Sequence, residues 1–95
     1  MIVVKFHDSG VVSLCDGELI GKQFEEGKLF LDVSARFYKG ENKSKKEVVK
    51  ILADAKSLNL VGKTVIGIAL DEGYISKDDI IMIKGVPHAQ IYVCD

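Results

Sequence analysis

Apolar and polar positions change period several times along the 95 residues, and each change marks an element. "IVVKFH" (2–7) and "VVSLC" (11–15) are short β-branched runs around "DSG", the polar, glycine-containing turn of an antiparallel hairpin. In the first run Ile2, Val4 and Phe6 share one face and Val3, Lys5 and His7 the other, which predicts one buried and one half-buried side. "DGELIGKQFEEG" (16–27) is ambiguous. Asp16 would cap a short helix ending at Gly27, but Gly21 weakens its middle by about 1 kcal/mol relative to alanine. "KLFLDVS" (28–34) alternates Leu29, Leu31 and Val33 and reads as a strand; "ARFYKGENK" after it reads as an irregular, exposed connection.

The principal helix is expected at about 44–58. Ser44 and Glu47 have capping-box spacing, and Val48, Ile51, Leu52, Ala55 and Leu58 form one apolar stripe, with Asn59 and Gly62 ending the element. "KTVIGIAL" (63–70), "DIIMIK" (79–84) and "QIYVCD" (90–95) read as strands, with "DEGYISKD" and "GVPHA" as turns. The pattern predicts a single α+β domain over 1–95: one mostly antiparallel or mixed β-sheet with that helix packed on a face.

Composition agrees with a folded domain: 47% of residues are hydrophobic, 28% are charged, and proline occurs once. The net charge of -1 gives the whole chain no general attraction to nucleic acid or membrane, so any such contact must be local. No apolar run approaches a membrane span, and the N-terminal apolar stretch is too short for a secretory signal, so the chain is read as cytoplasmic.

One stretch departs from this balance. Between Arg36 and Lys50 stand Arg36, Lys39, Lys43, Lys45, Lys46 and Lys50 against Glu41 and Glu47, a local +4 that leaves -5 for the other residues. Phe37 and Tyr38 lie inside it, so cations suited to phosphates sit beside a ring suited to stacking on a base, Tyr38 being the candidate. A solvated helix face with a lysine loop explains the same composition.

Other chemistry is thinner. "LVGKTV" (60–65) is no Walker A loop: position 57, where that motif needs glycine, is Ser57, and the expected order is helix, loop, strand rather than strand, loop, helix. Cys15 and Cys94 have no metal-site spacing and are read as reduced thiols, with a disulfide between them as the alternative. His7 and Asp8 near one end, with His88 and Gln90 near the other, would form a polar site if the first hairpin and the last strand were neighbours. No residue is assigned a catalytic role, and no cofactor or metal is assigned.

Taken in order, "VVKFHDSGVVSLCDGELIGKQF", "FYKGE", "NLVGK" and "IKGVPHAQIYV" resemble the small archaeal family known as domain of unknown function 424, over nearly the whole chain. The resemblance implies a cytoplasmic archaeal protein of about this length and transfers no site residues. Three functions remain open. The first is a binding module docking on RNA, the ribosome or an acidic protein through the 36–50 stretch. The second is a small enzyme or metal-binding protein with a site near His7 and His88. The third is a homodimeric protein-protein adaptor using the terminal "QIYVCD" strand as an exposed edge.

Overall fold

In the computed structural model, which describes residues 1–92, the elements run β1 (Ile2–Phe6), β2 (Val11–Asp16), β3 (Gln23–Glu26), β4 (Leu29–Asp32), α1 (Ala35–Tyr38), β5 (Glu41–Lys43), α2 (Lys45–Asp54), β6 (Ser57–Val61), α3 (Lys63–Asp71), β7 (Ile81–Ile83) and β8 (Val86–Tyr92). Six strands form one sheet in the order β5-β1-β2-β6-β8-β7. β2 and β6 are parallel and the other pairs antiparallel, so the sheet is mixed. β3 and β4 form a separate hairpin. The fold is α+β, as the pattern predicts.

Strand alternation divides the core in two. On one face Ile2, Val4, Leu14, Leu58 and Leu60 pack against Val48 and Leu52 of α2 and Val65, Ile66 and Ala69 of α3. On the other, Cys15, Val61, Ile83 and Val86 pack against Leu31 and Val33 of the hairpin segment and Tyr38 of α1. Leu14 and Leu60 are wholly buried, so truncating either to alanine should cost about 2–5 kcal/mol.

The N-terminal hairpin and the capping box of α2 form as expected: the Ser44 side chain accepts from the Glu47 backbone and the Glu47 side chain from the Ser44 backbone. The C-terminal half differs. The helix stops at Asp54, and the next residues, expected as its tail, form the central strand β6. Residues 63–70, expected as a strand, lie in α3 instead. The supposedly exposed connection after residue 34 contains α1, with Tyr38 buried, and the edge strand β5. Gly40 between them lies so close to β1 that a Cβ there would fall 2.1 Å from the Val4 carbonyl oxygen.

"LVGKTV" is therefore strand, turn, helix, contrary to the expected order, and only the Ser57 objection to a phosphate loop stands. The start of α3 is already served: the Asp16 carboxylate accepts from the backbone N–H groups of Thr64 (2.9 Å) and Val65 (3.0 Å). An anion at a helix N-terminus satisfies donors that have no partner within the helix. Asp16 thus caps this helix rather than a helix over 16–27. "GVPHA" is not a turn either, because the β7–β8 turn is Lys84–Gly85, both at positive φ, and β8 begins at Val86.

Candidate functional site

The second sheet face is only half covered. Register aligns Lys5, Ser13, Asn59 and Gln90 in one row across β1, β2, β6 and β8. The next row holds Val11, Ser57 and Tyr92, with His7 just beyond β1. The apolar cluster under the β3–β4 hairpin includes Cys15 and Val61, two residues along from Ser13 and Asn59, and the polar residues begin where that cluster ends.

α1 docks on the polar rows through its unpaired last carbonyls. Lys5 Nζ donates to Arg36 O at 2.6 Å and Ser13 Oγ to Phe37 O at 3.2 Å, meeting acceptors that a helix end leaves open. His7 Nε2 lies 3.1 Å from Ser13 Oγ, and its ring stacks on Phe37 with centroids 4.3 Å apart. With its hydroxyl proton on the Phe37 carbonyl, Ser13 receives the His7 N–H. It is wholly buried, so this contact orients the histidine and offers no exposed nucleophile.

Tyr38 is 4% exposed and its hydroxyl donates to Asn59 Oδ1 at 2.8 Å. It cannot stack on a base, which corrects the sequence expectation; Phe37, 37% exposed, is the accessible ring. A cleft of about 180 Å³ opens beside it, lined by Phe37, Ser57, Asn59, Gln90 and Tyr92. A larger groove of about 720 Å³ lies on the helical face between Phe6 and Val12 of the first hairpin and Ile51 and Ala55 near the end of α2.

The basic stretch folds around the β5 edge. Arg36 and Lys39 lie with α1 on the second-face side, while Lys45, Lys46 and Lys50 project from α2 on the other, all five exposed and none in an ion pair among the described residues. Lys43 differs, since its ammonium lies 3.6 Å from Glu41 and 3.8 Å from Glu47. Hydrogen bonds to Ser44, aided by Lys43, hold the Glu47 carboxyl below its usual range, so that acid stays ionised.

His7, Asp8, His88 and Gln90 do not form one site. Asp8 is exposed at the tip of the first hairpin, whereas His88 sits four residues along the sheet from the His7 row and three strands away. At ~4.8 Å per strand and ~3.4 Å per residue this separates the two histidines by on the order of 20 Å. His88 Nδ1 donates to Leu60 O at 3.0 Å, and burial pushes its pKa down. Among the described residues no group of three or more His, Cys, Asp or Glu side chains is placed to hold a metal. Cys15 is buried as a free thiol, pushed up to about 12 by burial and then by Asp16; Cys94 lies outside the described residues, as does the end of the "QIYVCD" strand. β7 pairs with Val86–His88 and β6 with His88–Tyr92, so over Gln90–Tyr92 the side of β8 away from β6 has no paired strand among the described residues; β5 and β7 end the strand order. Among the described residues no helix is long and apolar enough to cross a membrane.

Sequence reasoning missed Asn59 and Phe37 as site residues. The available signal was the polar Asn59 between Leu58 and Leu60 in "SLNLV", which at period two places it on the opposite face from two core leucines.

No curated protein matches the chain. Among solved structures, an uncharacterized conserved protein from Methanopyrus kandleri is similar over 97% of this chain and 90% of its own, with a TM-score of 0.77 and 25% identity. The family model for proteins of unknown function DUF424 matches residues 5–94, and the chain belongs to that family.

Proposed function

We propose that this protein is a binding module for RNA, docking phosphates on the basic rim around β5. The observation that carries the reading is the grouping around the β5 edge of five exposed cations without ion-pair partners among the described residues, Arg36 and Lys39 on the face that carries the Phe37–His7 stack and Lys45, Lys46 and Lys50 on the other. Cations in this arrangement exchange condensed counterions for phosphate contacts, and an aromatic face adds stacking that depends little on sequence. Unpaired bases offer these rings flat faces to stack on while the phosphates meet the cations, which is why RNA is taken ahead of an acidic protein.

Binding of single-stranded RNA measured over a range of salt tests the proposal. Five phosphate contacts predict a log–log slope of up to about -3.5, and the combined Lys45→Gln, Lys46→Gln and Lys50→Gln variant should reduce its magnitude by about 2. Absence of binding at low salt, or a triple variant indistinguishable from the parent, overturns the reading.

A further inference from the structure

The 180 Å³ cleft has a construction that cation docking alone does not require. Its floor is β6 with β8 beside it, where Ser57 faces Tyr92 and Asn59 faces Gln90 in register. Phe37, carried by α1 on the β1–β2 side, and Tyr92 on β8 stand on opposite sides of that floor. Tyr92 is 80% exposed and Phe37 37%, so both rings present aromatic surface on this face.

The carboxamide of Asn59 is oriented from behind. Its Oδ1 accepts the Tyr38 hydroxyl proton, and among the described residues it has no other hydrogen-bond partner. No enclosed side-chain nitrogen or oxygen of the described residues lacks a partner, so the amide nitrogen of Asn59, a residue 8% exposed, is not fully enclosed, and Asn59 lines the cleft. The neighbouring Gln90 is exposed and supplies a second carboxamide, able to donate or accept. The cleft is smaller than the roughly 300–1,000 Å³ of drug- or cofactor-sized sites, which leaves room for one flat polar group rather than a whole nucleotide cofactor.

We infer that this cleft receives a single unpaired RNA base between Phe37 and Tyr92, with Asn59 donating to an acceptor on its edge and Gln90 completing the contact. The inference rests on the RNA-docking reading and deepens it: the rim holds the backbone, and the cleft requires that a base be unstacked and free.

The test compares a single-stranded RNA with a duplex of the same sequence, using the intact protein and the variants Tyr92→Ala, Tyr92→Phe and Gln90→Ala. Tyr92 and Gln90 are exposed, so these variants should fold, and circular dichroism confirms it. The single strand should bind more tightly than the duplex. Tyr92→Ala should lose on the order of tenfold in single-strand affinity, Tyr92→Phe should restore it, and Gln90→Ala should weaken it, with the salt slope unchanged throughout. If the lysine variant weakens binding while Tyr92→Ala and Gln90→Ala do not, or if the duplex binds as tightly as the strand, the base cleft is overturned and rim docking stands. If no RNA binds, both fall. Loss in the Tyr92 and Gln90 variants with no effect of the lysines would support the cleft and overturn the rim.

Discussion

Asp16 and Gly62 are matched to each other. The carboxylate occupies the space a side chain at Gly62 would need: a Cβ there would lie 2.3 Å from Asp16 Cγ, and Gly62 sits at φ +113, which L side chains rarely adopt. Asp16→Ala leaves two N–H groups of α3, the buried one of Val65 and the partly buried one of Thr64, without their acceptors and should cost roughly 3 kcal/mol in urea unfolding. Gly62→Ala should be at least as damaging; wild-type stability in either variant would refute this account of the junction. Cys15, next in the chain, is held as a thiol by burial and by the same carboxylate, with a pKa of about 12. Because only the thiolate is nucleophilic, Cys15 in a Cys94→Ser background should resist iodoacetamide in native buffer and react once urea unfolds the chain. Labelling at the rate of an exposed thiol would contradict it.

Among the elements, α1 has four residues and no stability of its own. It persists because sheet side chains accept its geometry: Lys5 and Ser13 bond its carbonyls, and Tyr38 reaches through to Asn59. Tyr38→Phe keeps the packing but deprives Asn59 Oδ1 of its donor, so a loss of about 1 kcal/mol is expected, measurable by the thermal midpoint. An unchanged midpoint would mean the bond carries no net stability. These same elements show where local pattern suffices. The first hairpin and α2 were legible because turn chemistry, alternation and a capping box all lie within a few residues of what they specify. α3 was not, because Thr64, Val65, Ile66 and Ile68 favour strands and the helix draws its cap from Asp16, far away in sequence. The end of α2 was misplaced because Leu58 continues its helical spacing while actually beginning the alternation of β6. The candidate site was half legible: the cations stand together in sequence, but the cleft joins Phe37, Asn59, Gln90 and Tyr92 only through sheet register.

For the molecule as a whole, His88 makes stability depend on pH. Its folded-state pKa lies below the ordinary 6.5, so the unfolded chain binds the proton more readily. The contribution is therefore complete above that ordinary value and is lost as pH falls through it towards the folded pKa. Urea midpoints followed from about pH 7.5 to about pH 5 should decline, and His88→Gln should flatten that decline; an equal slope in the variant would assign it to other groups. The cap on α3 has a further consequence, in time rather than in space. β2 and Asp16 leave the site of synthesis well before the residues of α3, and the order this predicts is β6 docking parallel to β2 before α3 closes on its cap. If this order also governs refolding, Asp16→Ala should slow the folding step; slowing absent and unfolding accelerated would place the cap after the barrier. In that order of assembly α3 arrives at a cap that β2 has already laid down.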